Sequence, residues 1–439
     1  MIKFSKRTLC IGLSIFLVLS LAGTSALMKS AAASFSDYFA FAQDVESSSE
    51  RAPHKDECFV SDDNDEGRNI VFKVIDESNR LVQVGCGSSG KTYVINDEDA
   101  DAEDRVAYAT ITDTFSGTLT IPEQVTYAGV TYTVTKIASS AFASYKDNYA
   151  DITFKLKKLV LPSTVTEIGD NAFYMADLSA GIAFSDECNL TTIGNSAFNT
   201  SGIYTFAIPE SLTSLGNSAF YSCENLNKVT FPQNCKLSEL PSYTFYSCKK
   251  LFSVDIPNSI TSIEESTFQG CRSLITVVIP ETITSIDRDS FAYCDNLSSI
   301  KVDSNNTVYD SRNNCNAIIE TNTNTLVLGC KDTTIPNTVT SIGENAFNGS
   351  SITSITIPKS VVSIKWYAFL NSQELQNVYY LGSQEQWSKI SIDDGNEYLT
   401  NANIIFVDEN NFWKTLDKSQ TNIEIPYGIT SIPEAAFSG

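Results

Sequence analysis

Histidine is all but missing. His54, in a polar leader segment, is the single one in 439 residues. A His-rich zinc centre is therefore excluded, and Cys-His or Ser-His nucleophilic machinery lacks its base. Cations are scarce as well: 30 Lys and Arg stand against 52 Asp and Glu, a net charge of −22. Nucleic-acid phosphates are held by clustered Lys and Arg, so this balance argues against a nucleic-acid partner and against docking on anionic lipid. Charged residues make up only 19% of the chain and apolar ones 42%, which describes an ordered protein. After the N-terminus no further apolar run is long enough to span a bilayer.

The N-terminus reads as an export signal. Lys3, Lys6 and Arg7 precede an apolar run from Leu9 to Ala22, and small residues follow, with cleavage expected after Ala26 or Ala33. Cleavage after Ala33 removes Lys29 as well and no acid, and takes the net charge to −26. An uncleaved anchor extending to Leu27 is the competing reading. No lipidated cysteine follows the run, because Cys10 lies inside it.

What the chain does have is one sentence repeated. IPESLTSLGNSAFYSCENLNKVTFP is followed by FPQNCKLSELPSYTFYSCKKLFSVDIP and IPNSITSIEESTFQGCRSLITVVIP. Pro209, Pro232, Pro257 and Pro280 step by 23, 25 and 23 residues. Phe198, Phe220, Phe245, Phe268 and Phe291 step by 22, 25, 23 and 23. Periods of this length mark stacked architectures and fall in the leucine-rich-repeat range. A strand such as Leu226–Phe231 cannot bury its apolar side alone, but it can when paired in parallel with copies of itself. Proline lacks the N–H that would continue the ladder, so it ends each strand at one place. The expected fold is a curved, β-rich, right-handed solenoid with short parallel strands, a continuous phenylalanine spine and an N-terminal β cap.

Cysteine follows the same period. Cys223, Cys248, Cys271 and Cys294 each sit three residues after the repeat phenylalanine, which marks a small buried column of reduced thiols. Cys315 and Cys330 lie together in an insert and are the pair expected to bond.

In chain order, residues 1–33 read as the signal, 34–66 as an acidic linker and 67–118 as the β cap. The array runs over 119–380, with a β-hairpin over 303–335 expected to project from it. Residues 381–420 form a Trp-containing module, with a short helix N-capped by Ser383 and boxed by Gln386. Residues 421–439 are a partial repeat reaching Phe437. Its mid-repeat end reads as a truncated product or a gene fragment, with a dimer at the bare end as the other reading.

IPNTVTSIGENAF, SVVSIKWYAF and FYSCENLNKVTFP resemble the BspA-like leucine-rich repeat family of bacterial surface proteins. The insert YDSRNNCNAIIETNTNTLVLGC and the tail YYLGSQEQWSKISIDDGNEYLTNANIIF resemble its accessory segments. The resemblance covers residues 119–439. It implies an exported or surface-displayed protein in adhesion or host-matrix binding, with fibronectin- and fibrinogen-type ligands among those associated with members. The chain shows no cell-wall anchor, which leaves its mode of attachment open.

Three signals could carry chemistry. Gly85–Thr92 reads GCGSSGKT and satisfies the phosphate-loop pattern. A phosphate loop opens a helix at its Lys, here Lys91, whereas the residues that follow begin as a strand and turn into a carboxylate run. A Gly/Ser turn between two strands is expected instead. Asp62, Asn64, Glu66 and Gly67 approach calcium-loop order, but Lys73 stands where the bidentate glutamate belongs. This cluster, Asp97–Asp104, and Asp393, Asp394 and Glu397 read as solvated charge.

What remains is a surface. The position after the first core aliphatic of each strand gives Tyr204, Asn227, Phe252, Ile275 and Ser298 on successive rungs. With Val278 and the cation Lys228 beside them, Tyr204, Phe252 and Ile275 form the candidate ligand-binding stripe. The function expected is adhesin-like binding of host or cell-surface proteins or glycans, without catalysis, cofactor or metal. Two other classes stand beside it. A carbohydrate-binding module would need Tyr379, Tyr380 and Trp366 exposed as a stacking platform, and an enzyme would need a concave pocket with converging acids.

Overall fold

The computed structural model describes residues 52–60, 68–85, 94–96, 117–146, 151–152 and 156–407. The signal segment, the Asp62–Glu66 and Asp97–Asp104 clusters, Lys91 and the partial repeat at Phe437 lie outside them.

The chain winds into a parallel-strand solenoid. Each rung contributes a long strand such as Lys228–Thr230, Ser253–Asp255 or Thr276–Ile279. These pair in register, Thr205↔Lys228↔Ser253↔Thr276↔Ser299, as a five-stranded sheet. Residues one step along (Phe206, Val229, Val254, Val277 and Ile300) point inward and are buried. After each strand the proline carbonyl opens a turn: Pro257 O accepts Ile260 N–H at 3.1 Å and Pro280 O accepts Ile283 N–H at 3.3 Å.

A second ladder was not foreseen. The Ser/Thr-rich step forms a two-residue strand on each rung, among them Thr192–Ile193, Ser262–Ile263 and Ser285–Ile286. The aliphatic of each pair faces the core. The threonine before it clips the rungs together, since Thr191 Oγ1 donates to Thr166 O at 3.0 Å and Thr261 Oγ1 to Ser238 O at 3.0 Å.

The third edge of each rung is a turn carrying the repeat phenylalanine. Seven rings stack from Phe142 through Phe173, Phe198, Phe220, Phe245 and Phe268 to Phe291, with centroids 5.1–5.6 Å apart. Each phenylalanine N–H before Phe291 donates to the next rung, as Phe245 N does to Thr267 O at 2.9 Å. Flanking residues, including Ser218, Ser222, Tyr243 and Ser247, take left-handed backbone conformations (φ 52–58°). Cross-rung bonds such as Tyr243 N–H to Glu265 O, at 2.8 Å, hold them there. The cysteine column lies beneath. Cys223, Cys248, Cys271 and Cys294 are free thiols, each donating to the phenylalanine carbonyl of the rung before, at 3.0–3.3 Å. Burial pushes Cys223 up to about 12.

At the N-terminus, Arg68–Asp76 pairs antiparallel with Cys58–Val60, Leu81–Val84 and Val94–Asn96. Leu81–Val84 in turn lies parallel to Val130–Ile137, so the cap is continuous with the short ladder. Phe59 and Phe72 close the end of the core. Cys58 is disulfide-bonded, to a partner outside the described residues. Apart from Gly85, the GCGSSGKT segment lies outside the described residues.

The insert departs from expectation. Ala317–Glu320 and Thr325–Gly329 form the antiparallel hairpin, but it does not project. Thr325–Gly329 lies parallel to Ser341–Ile342, and the hairpin is the middle of a six-stranded sheet. The reason is two-sided apolarity. Ile318 and Leu328 pack into the N-terminal core, while Ala317, Ile319 and Leu326 pack into a second core running to Leu399. Projection would leave both faces wet. The same geometry overturns the expected Cys315–Cys330 bond, since both thiols are free. Cys315 faces the second core and Cys330 the first, and a disulfide needs both side chains turned toward each other. The spine is also not continuous. Gly329 N–H donates to Ala346 O at 2.8 Å, the bond Phe291 would make in a regular array. A second stack, Phe347 on Phe369 at 4.9 Å, begins beyond it.

Both ladders run on through the segment expected as a C-terminal module. Ser391–Ile392 pairs with Ser363–Ile364, and Asn403–Phe406 with Asn377–Leu381. Between them Gln384–Trp387 is a single helical turn with Ser383 and Gln386 in the capping box, and Trp387 and Ile390 rest on the second core. Among the described residues, no helix is long and apolar enough to cross a membrane.

Candidate functional site

The outer face of the long ladder follows from strand alternation. With Val229 inward, Lys228 and Thr230 must point out, and the same holds on every rung. The turn residue before each strand joins them through a backbone chain. Asn227 N–H donates to Tyr204 O at 2.9 Å, Phe252 N–H to Asn227 O at 3.4 Å, Ile275 N–H to Phe252 O at 3.1 Å and Ser298 N–H to Ile275 O at 3.1 Å. These bonds place Tyr204, Asn227, Phe252, Ile275 and Ser298 in one column. Tyr204 is 52% exposed, Phe252 45%, Ile275 50% and, one column over, Val278 44%. Lys228 lies on the same face between Thr205 and Ser253. The five residues singled out from the sequence therefore share one surface.

Sequence reasoning passed over two members of that surface. Val278 stands between Asp255 and Lys301 in its column, and both are exposed. Extending the alternation two residues along each strand would have found them. The strand face thus carries Lys228 and Lys301 beside Asp255, with the exposed Asp303 two residues beyond Lys301 on the same rung. Lys228 makes no ion pair among the described residues. At the rim, charge is neutralised locally, Lys249 with Glu224 at 2.5 Å and Arg272 with Asp295 at 3.6 Å.

The platform required for a glycan-stacking module does not assemble. Tyr380 is 2% exposed, because strand alternation turns it inward against Trp387, centroids 5.2 Å apart. Trp366 is exposed, but its neighbour Tyr367 is tilted by 47° at 6.2 Å. Asp393 and Asp394 are engaged through their backbones, Asp393 N–H on Ile364 O and Asp394 O accepting Tyr367 N–H. Lys73 sits 3.0 Å from Asp56. Among the described residues His54 Nδ1 meets only the Glu77 carboxylate, at 3.0 Å. No group of three or more His, Cys, Asp or Glu able to hold a metal occurs among the described residues.

Comparison with known proteins bears on the repeat. The family model described as BspA type leucine rich repeat region matches in six copies over residues 135–239, 191–320 and 318–439. Three solved structures are similar at the level of fold. The pneumococcal vaccine antigen PcpA is 21% identical over 70% of this chain and 68% of its own, with a TM-score of 0.48. A leucine rich cell surface protein from Faecalibacterium prausnitzii is 21% identical over 79% and 99%, at 0.45. A leucine rich repeat protein from T. pallidum is 21% identical over 51% and 85%, at 0.35. No curated protein matches the chain.

Proposed function

Because this chain belongs to the BspA-type leucine-rich repeat family, we propose that it is a surface-displayed or secreted binding protein, adhesin-like, whose ligand is another protein. The observation that carries the reading is the column Tyr204, Phe252 and Ile275, with Val278 beside it. On neighbouring rungs the equivalent positions hold Asn227 and Ser298. Three large apolar groups aligned on a rigid ladder and rimmed by polar residues form an unpartnered patch of the kind that binds. The patch also carries Lys228, Lys301 and Asp255, so the partner is an apolar surface with charged residues of both signs at its edge, of extracellular-matrix type. Export agrees with the Lys3–Ala33 layout, and catalysis is no part of this reading.

The experiment is a binding screen of the chain against immobilised matrix proteins, followed by Phe252→Ser with Ile275→Ser. Both side chains are half-exposed, so the melting temperature stays put while affinity falls at least about tenfold. Unchanged affinity in the folded double variant removes the stripe as the site.

A further inference from the structure

The apolar anchors of the strand face are spaced as a helix spaces its own. The column bonds set Asn227 one rung after Tyr204, Phe252 one rung after Asn227, and Ile275 one rung after Phe252. Paired strands stand about 4.8 Å apart, so Tyr204 and Phe252 are separated by about 9.6 Å along the ladder and Phe252 and Ile275 by about 4.8 Å. Positions i, i+7 and i+10 of an α-helix lie about 10.5 and 4.5 Å apart along its axis, within one face about 100° wide. An extended peptide on the same line repeats its apolar side every 6.8 Å or so, about 3 Å short of Phe252 at the first repeat and about 4 Å past it at the second.

The width agrees with the length. Val278 stands three residues beyond Ile275 on the same rung, about 10 Å across the face, close to the diameter of a helix with its side chains. Between the two lines come the short, half-buried Ser253 and Thr276. A helix laid along the ladder therefore touches the column with one flank and Val278 with the other. The charges around this strip have both signs: Lys228, Lys250 and Lys301 stand with Asp255 and Asp303. Lys250 is engaged by Asn225, its Nζ on Oδ1 at 2.7 Å. Such a border fits the mixed polar face of an amphipathic helix and gives no preference to a helix charged in one sense. We propose that the strand face binds an amphipathic α-helix of the partner protein, lying across the strands along the ladder, with apolar side chains on Tyr204, Phe252 and Ile275. The inference rests on the stripe being the ligand site and adds the secondary structure and direction of what it holds.

The probes are synthetic peptides of about 20 residues, long enough to hold a helix in water, titrated into the full chain by calorimetry. The first carries leucine at i, i+3, i+7 and i+10, with Glu and Lys four apart on its other face to keep it helical. The second has the same composition with leucine at alternate positions, and the third is the first with a central proline that breaks the helix. The first peptide binds, and the other two bind at least about tenfold more weakly. Phe252→Ser with Ile275→Ser removes binding, and Tyr204→Ser alone weakens it by about tenfold, because a helix along the ladder must reach all three. A ligand lying with the strands would miss Tyr204, about 14 Å from Ile275. All three side chains are half-exposed, so the variants keep the fold. Equal binding of the alternating peptide, undiminished affinity in Tyr204→Ser, or no binding of the helical peptide at about 1 mM each overturns the proposal. If the helical peptide is inert while matrix binding still falls in the Phe252→Ser, Ile275→Ser variant, the helix is lost and the stripe stands. If neither binding responds to that variant, the stripe is lost and the helix with it.

Discussion

Alanine at Gly329 tests the joint between the two cores, because its effect on stability has a sign that separates two accounts. Gly329 does not use the left-handed backbone region that favours glycine. In open space the added methyl would stabilise by about 0.4–1 kcal/mol, by restricting the unfolded chain. Here a Cβ would land 2.1 Å from Phe347 Cε1 and 2.4 Å from Cζ. Carbon atoms rest comfortably at about 3.5–4.0 Å, so the ring must retreat by roughly 1.5 Å. It has nowhere to go: Phe347 is buried, stacked on Phe369 at 4.9 Å, and the adjoining void holds only about 10 Å³. Overpacking of this kind costs about 1–3 kcal/mol, and the close approach points to the upper end. Urea unfolding followed by circular dichroism measures the change as a lowered midpoint in Gly329→Ala. Adding Phe347→Leu relieves the clash, so the double variant loses less than the two single losses together. A midpoint unchanged or raised in Gly329→Ala alone would refute the steric account.

Two further expectations concern ionisable groups. Arg312 grips both oxygens of Asp310, with Nε on Oδ1 at 2.7 Å, and reaches the hairpin turn through Asn324 Oδ1 at 2.7 Å. Burial raises the Asp310 carboxyl, but the Arg312 bonds outweigh it and hold the group below its ordinary value. A depressed carboxylate stabilises above its unfolded pKa of about 3.9 and loses that contribution as pH falls through the folded value. Asp310→Asn should therefore lower stability by about 1.5–3 kcal/mol at pH 7, and by far less near pH 2.5, as read from thermal melts at the two pH values; an equal loss at both would be the contrary result. For the thiols, burial pushes Cys223 up to about 12 and Cys315 to about 11, and raises Cys248, Cys271 and Cys294. Site-resolved maleimide labelling of native protein should mark the half-buried Cys188 and Cys235, and the buried six only after denaturation; native labelling of Cys248 would contradict the packing.

The phenylalanine period was legible because one large residue per rung must meet its copy on the next, so spacing alone announces the stack. Strand alternation likewise put Tyr204, Phe252, Ile275, Val278 and Lys228 on one face. The short ladder escaped notice because two residues show no alternation, and Ser262 and Ser285 are poor strand formers held by their neighbours. Asn171, Ser218 and Tyr243 gave no hint of left-handed backbone, which glycine would have announced. The hairpin was recognised, but where it docks depends on which core each of its faces meets. Ile318 and Ile319 look alike in a string of letters and enter different cores. The misjudged Cys315–Cys330 bond has that same origin.

The phenylalanine spine bears on how the rungs stack. Paired strands stand about 4.7–4.9 Å apart, yet successive ring centroids are separated by 5.1–5.6 Å. The turns that carry the rings are tied rung to rung by backbone hydrogen bonds, Phe245 N–H to Thr267 O at 2.9 Å among them. The difference therefore lies in the side chains, each ring set sideways from the one before it in offset stacking. Every phenylalanine so covers the edge of its neighbour as well as its face, and a smaller residue in the column would open a hole toward two rungs at once.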